Sequence, residues 1–123
     1  MVTISIEIPA DKLKKAKEII ASVANEMGLI WYSKLYEKIG LDHANPGHRQ
    51  IGSNILGTIS QESNAHDGIM LSALVTGKYD GEPADGFYDL AQEIGRLSVD
   101  ASDIQKSDFW VKEVDRVHKF YNE

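Results

Sequence analysis

Residues 48–95, HRQIGSNILGTISQESNAHDGIMLSALVTGKYDGEPADGFYDLAQEIG, decide how this chain is read. Ile51, Ile55, Leu56 and Ile59 recur at spacings of three and four, which predicts a helix beginning near His48 with one buried face. Gly52 and Gly57 lower its helix propensity and permit close approach of a neighbour. A polar turn is predicted at Asn64–Gly68. Ile69–Val75, IMLSALV, is almost continuously apolar, as expected of a strand buried on both sides. Thr76–Gly86 combines glycines, a proline and acidic side chains and reads as an exposed loop or hairpin tip. Beyond it Phe87, Leu90, Ala91, Ile94 and Leu97 fit a helical stripe that ends around Gly95.

Upstream, Val2, Ile4, Ile6 and Ile8 alternate with Thr3, Ser5 and Glu7, the period of a half-buried strand. Pro9 and a capping Asp11 hand over to a helix across 13–27, with Leu13, Ala16, Ile20, Val23, Ala24 and Met27 inward and Gly28 at its end. WYSKLYEKIGL predicts a short helix capped by Ser33 and stopped by Gly40, with Leu35 and Ile39 inward. Asn45-Pro46-Gly47 is a turn signal, because proline fixes one dihedral and glycine permits a positive one. Downstream, Ser98–Ser107 reads as a polar loop. A last helix capped by Asp108 then turns Trp110 or Val111, Val114, Val117 and Tyr121 inward. The expected fold class is α/β (α+β): a helix-rich single domain over 1–123, with a small sheet from Val2–Ile8 and Ile69–Val75. Residues 1–30 lead in, 31–95 form the core and 108–122 close it.

Composition narrows the function. With 42% hydrophobic and 26% charged residues, the chain has the make-up of an ordinary soluble globular protein. It contains no cysteine, which removes disulfides, thiolate catalysis and cysteine-bound zinc. No apolar run approaches the ~20 residues that span a bilayer, and MVTISIEIPADK lacks the layout of a secretory signal. A cytoplasmic location and no membrane partner are expected. The formal net charge is −6. The only basic cluster is Lys12, Lys14, Lys15 and Lys17, whereas duplex binding draws its affinity from many Lys and Arg contacts to phosphate.

Two short helices joined by a turn, followed by a strand, resemble a helix-turn-helix with a wing. The succession Tyr32…Leu35…Ile39-Gly40, then Arg49-x-Ile51-Gly52-x-x-x-Leu56-x-x-Ile59, then Leu71-Ser72-Ala73-Leu74-Val75…Gly81-x-Pro83-x-x-Gly86-Phe87-Tyr88 is similar to an uncharacterised bacterial and phage domain. Its first half also resembles the winged-helix part of alkyltransferases and alkyltransferase-like proteins. The resemblance covers about residues 31–95 and implies a scaffold only. The alkyltransferase Pro-Cys-His-Arg segment is absent, so alkyl transfer to a thiol is excluded.

Candidate sites are sparse. His43, His48, His66 and His118 make no metal spacing and read as solvated loop histidines. Ser72 lies outside a G-x-S-x-G elbow and reads as a buried or face-lining strand serine. Asp80, Glu82, Asp85 and Asp89 lack an EF-hand register and read as a solvated acidic loop. Neither a metal nor a cofactor is expected. The outward side of the third helix carries Arg49, Gln50, Ser53, Asn54 and Thr58. Arginine can pair guanine, and Gln and Asn can pair adenine, so this face is chemically competent to read bases, with Lys14 and Lys15 as phosphate contacts. The competing explanation is that an amphipathic helix needs polar residues outside. Trp31, Tyr32, Tyr79, Phe87 and Tyr88 could rim a protein-binding patch, with half or more of them in the core. The reading that follows is a non-enzymatic winged-helix-like module acting through protein contacts or self-association, as a phage or bacterial accessory protein. A DNA-binding regulator reading with helix 48–60 is the alternative, and an enzyme with an unrecognised site the third.

Overall fold

The computed structural model describes residues 8–123. The strand predicted at Val2–Ile8 lies outside them except for Ile8, which packs against the core. The described residues form five α-helices, a single 3-10 turn and two short parallel strands. They run in the order α1 (Ala10–Asn25), β1 (Ile30–Trp31), α2 (Tyr32–Lys38), α3 (Pro46–Asp67), the 3-10 turn (Leu71–Leu74), β2 (Val75–Thr76), α4 (Asp85–Glu93) and α5 (Asp103–Asn122). The sheet pairs Ile30 with Val75 and Trp31 with Thr76. The described residues are therefore helix-rich with a small parallel sheet, which takes only Val75 from the predicted strand at Ile69–Val75 and adds Ile30, Trp31 and Thr76.

The apolar stretch at 69–75 departs from the strand prediction for a reason visible in its amides. Met70 N–H donates to the Glu113 carboxylate at 2.7 Å, Leu71 N–H to Ser63 Oγ at 3.2 Å and Ser72 N–H to Ser60 Oγ at 2.9 Å. Ala73 N–H closes the 3-10 turn on the Met70 carbonyl. Side chains from α3 and α5 thus take the hydrogen bonds that a sheet ladder would have taken. Every buried backbone donor must find some acceptor, and here it finds one without a neighbouring strand. Strand pairing begins only at Val75 and Thr76.

Helix boundaries shift for local reasons. Asn45 is the N-cap of α3, its side chain accepting from Gly47 N–H at 2.8 Å and His48 N–H at 3.2 Å, with Pro46 in the first turn. Proline is suited to that position because its missing N–H would have had no helical partner. Asn45-Pro46-Gly47 is accordingly a helix start rather than a free-standing turn. α3 continues through the turn predicted at Asn64–Gly68 and stops only at Gly68, whose φ of 70° gives a left-handed cap. α5 starts earlier than Asp108. Ser102 caps it in a reciprocal box, with Gln105 N–H on Ser102 Oγ and Ser102 N–H on Gln105 Oε1. Asp108 instead pairs with Lys112 one turn on. α2 is entered from Trp31 without a side-chain cap, so Ser33 does not serve as one. α4 begins at Asp85 rather than Phe87. α1 ends at Asn25 with Glu26 as its C-cap, and Met27 just beyond, with a φ of 56°, takes the left-handed position expected of Gly28.

The core has two lobes. α1, α2 and α3 bury Ala16, Ile20, Leu35, Ile55, Leu56 and Ile59 with Val75 and Val117, while α4 and the 3-10 turn bury Met70, Ala73, Phe87, Tyr88 and Leu90. Val114 of α5 packs against both. At the junction Glu113, only 1% exposed, takes Arg96 Nη2 at 2.6 Å and Arg116 Nη1 at 2.8 Å on one oxygen. Its other oxygen takes Arg96 Nη1 at 2.9 Å and the Met70 amide. Arg116 Nη2 reaches on to the Gly68 carbonyl at 2.8 Å. This cluster fastens the end of α3, the 3-10 turn and the α4–α5 connection to α5, and so fixes where α4 stands relative to α3. Among the described residues no helix is long and apolar enough to cross a membrane.

Candidate functional site

Between α2, α3 and α4 lies a cavity of about 290 Å³. α2 supplies Tyr32 and Tyr36, one turn apart on the same face. α3 supplies Arg49, Ser53, Leu56 and Gly57, again at helical spacing, and α4 closes the far side with Phe87 and Leu90. His43 of the α2–α3 connection and Ser72 of the 3-10 turn complete the polar lining. Most of the wall is apolar, with a few polar groups converging on it, the usual build of a small-molecule site.

Each polar group has a definite state. Tyr32 Oη accepts the Ala84 N–H at 2.8 Å, which pins the loop before α4 to α2. Burial raises its phenol pKa, and that hydrogen bond opposes the rise. The Tyr36 phenol is pushed up to about 12, first by burial, then by the neighbouring Tyr32, with the Arg49 guanidinium pulling the other way. Tyr36 therefore stays protonated and able to donate. No hydrogen bond joins its hydroxyl to another described residue, and the side chain lines the cavity. Arg49 donates Nη1 to the His43 carbonyl at 3.1 Å, and none of the ion pairs among the described residues includes it. Ser72 Oγ is already committed to Ser60 Oγ at 2.6 Å. The His43 ring lies 5.9 Å from that of Tyr36.

The two glycines of α3 have opposite roles. A Cβ on Gly52 would overlap the hydroxyl end of the Tyr36 ring, so this glycine makes room for the tyrosine against the helix. A Cβ on Gly57 would meet nothing within 4 Å. Close approach explains Gly52, as the sequence suggests, but not Gly57, which simply leaves space at the cavity's edge.

The structure divides the residues that the sequence singles out on α3. Arg49 and Ser53 border the cavity. Ser53, Asn54 and Thr58 line a shallow groove against Gly86 and Leu90 of α4, so this side of α3 faces another helix. Gln50 is exposed and donates its amide to Asn54 Oδ1 at 3.0 Å. Lys14 and Lys15 are exposed on α1 and border neither space. Their neighbour Lys17 pairs with Glu62, about 20 Å along α3 from Arg49 at 1.5 Å per residue. Lys12 donates to the Ile39 carbonyl at 2.7 Å. Among the aromatic residues, Tyr32 and Phe87 line the cavity and Tyr88 is buried, while Trp31 and Tyr79 stand outside with Lys78 near both rings.

Tyr36 is the residue that sequence reasoning passes over. Its signal is the pair Tyr32-x-x-x-Tyr36, which sets two phenols on one face of a short helix otherwise inward through Leu35 and Ile39. The histidines stay dispersed: His48 Nδ1 accepts the Asp42 N–H at 2.8 Å, and His118 Nε2 meets the Gly28 carbonyl at 2.9 Å. Among the described residues no group of three or more His, Asp or Glu side chains is arranged to hold a metal ion. Comparison with protein-family models, with curated proteins and with solved structures finds no match to this chain.

Proposed function

We propose that this chain is a non-enzymatic binding module whose working part is the cavity between α2, α3 and α4. The observation that carries this reading is a pair of polar groups with hydrogen-bonding capacity left over among the described residues, the Tyr36 hydroxyl and the Arg49 guanidinium, at an otherwise apolar cavity. Unused hydrogen-bonding capacity beside apolar surface is what a ligand completes. Binding rather than turnover is favoured by the chemistry of the lining. Among the described residues no carboxylate borders the cavity, Ser72 is tied to Ser60, and Tyr36 is held as a donor rather than a base. The winged-helix likeness enters as a scaffold: α2 and α3 are its helix pair, here enclosing a cavity.

A titration of isotopically labelled protein with one- and two-ring fragments tests the proposal by nuclear magnetic resonance. Saturable shifts at the amides of Ser53, Gly57, Ala84 and Gly86 are expected, and Gly57→Leu, which fills the cavity's edge, should abolish them. Shifts that persist in a folded Gly57→Leu protein, or that scatter over the surface, would overturn it.

Contact with a protein partner is the second reading, and its support is Tyr79 at 96% and Trp31 at 46% exposure beside Lys78. Trp31 immediately precedes Tyr32, so this exposed ring and the cavity share one turn of chain. Sedimentation over a range of concentrations should reveal self-association through this patch, removed by Trp31→Ser with Tyr79→Ser. A monomer at all concentrations would rule out self-association. DNA reading by α3 has less support, since its face carries a single arginine and the whole chain bears a net charge of −6.

A further inference from the structure

We infer that the ligand of this cavity is a small monoanion with an apolar body, an aromatic carboxylate of one or two rings, held at its charged end by Arg49 and the Tyr36 hydroxyl. The inference rests on the cavity reading above and adds the ligand's size, charge and orientation.

Size comes from volume. An apolar protein cavity of about 150 Å³ accepts benzene. A space of about 290 Å³ is close to twice that, enough for a bicyclic ring with a short substituent. A nucleotide, with base, sugar and phosphates, exceeds it. Leu56, Phe87 and Leu90 give the ring its apolar surroundings.

Charge comes from the lining. Among the described residues Arg49 is the one permanently charged side chain that borders the cavity, and no carboxylate borders it. One guanidinium arm is occupied by the His43 carbonyl, so the remaining donors can take one carboxylate but cannot balance a dianion. A second negative charge would be removed from water without a partner, which is costly. Tyr36 lines the same cavity, and its ring lies 5.9 Å from that of His43, whose carbonyl takes Arg49, so its hydroxyl adds a neutral donor at the charged end.

Orientation follows from the surroundings. Asp80, Glu82, Asp85 and Asp103, with Lys106 as the one cation among the described residues there, line a separate hollow that shares Ala84 with the cavity and does not include Arg49. A carboxylate placed there would meet like charge, whereas at the Arg49 end it meets the opposite. Screening over about 8 Å at physiological salt leaves the local partner dominant.

Calorimetric titration of the full chain with indole-3-acetate, indole-3-acetamide and tryptamine tests this, since the three share one ring system and differ in charge. The acid should bind at least about tenfold more tightly than the amide, as a charge-assisted hydrogen bond implies, and tryptamine should be weakest. Arg49→Gln should bring acid and amide to parity without changing the amide. Arg49→Lys should restore part of the preference, and inorganic phosphate should not compete. Equal binding of acid and amide to the wild type overturns the anion inference and leaves the cavity reading standing. A preference for the acid that survives Arg49→Gln assigns the anion elsewhere and also overturns it. No binding of any of the three, together with silent fragment spectra, removes the cavity reading as well.

Discussion

Glu113 and Arg49 lie in two regions of the fold that handle charge in opposite ways. Glu113 is buried, and its two oxygens are met by Arg96, Arg116 and the Met70 amide. Among the described residues Arg49 makes one hydrogen bond, to a backbone carbonyl, and it borders the cavity. The first arrangement is closed: each member already has its partners, and the cluster joins α5 to three other parts of the chain. The second is open, with donors left over beside apolar walls. A satisfied polar cluster in a core belongs to architecture, and an unsatisfied one at a cavity is where a ligand can contribute binding energy.

The sharpest way to break this contrast is at the closed end. Glu113→Ala leaves Arg96 short of its partner in the interior and Met70 N–H without an acceptor. Removing one partner of a buried ion pair typically costs ~3–5 kcal/mol, and denaturant unfolding should register a loss of that order. A loss below ~1 kcal/mol, the scale of an exposed pair, would mean that the cluster contributes as a surface pair does and that the closed-against-open distinction fails.

The next effect separates the two glycines of α3. Gly52→Ala forces the Tyr36 ring off the helix and should destabilise by ~1–3 kcal/mol, as overpacking does. Gly57→Ala enters empty space and should stabilise by ~0.5–1 kcal/mol through helix propensity alone. Unfolding curves of the two variants should move in opposite directions. Equal shifts would show that neither position is set by its surroundings.

The smallest effect lies far from both regions. Met27 holds a left-handed φ of 56° with its side chain 63% exposed, and Gly28 N–H bonds back to the Val23 carbonyl at 3.0 Å. Met27→Gly should stabilise by roughly 1 kcal/mol or less, since a left-handed residue other than glycine carries a penalty of ~1–2 kcal/mol and glycine returns part of it as unfolded-chain entropy. Thermal melting checks the sign.

These contrasts also explain which parts could be read from sequence. The helices were legible because Leu13, Ala16, Ile20 and Ala24, and likewise Ile51, Ile55 and Ile59, repeat at the helical period. Their ends were less so. Asn45-Pro46-Gly47 carries the residues of a turn and of a helix start alike, and only the direction of Asn45's side chain separates the two. The S-x-x-Q box at Ser102 was present in the sequence, but the polar run around it concealed it. The 3-10 turn at Leu71–Leu74 could not be read locally, because its amides are satisfied by Ser60, Ser63 and Glu113, residues up to 43 positions away. The candidate site was half legible. Arg49 and Ser53 stand out as polar residues on an amphipathic helix, but Tyr36 looks like ordinary core until Gly52 brings it onto α3.

The central claim is that Arg49 serves a ligand and Glu113 serves the fold. Denaturant unfolding of the wild type and Arg49→Gln, each with and without indole-3-acetate, tests it most directly. Ligand that binds only the folded state at about 100 times its dissociation constant stabilises by ~2.7 kcal/mol. We expect wild type and variant to agree within about 0.5 kcal/mol without ligand, as surface substitutions do, and only the wild type to gain the full increment with it. A variant that is less stable without ligand by ~2 kcal/mol or more, and gains as much as the wild type with it, would make Arg49 a structural residue and contradict the account.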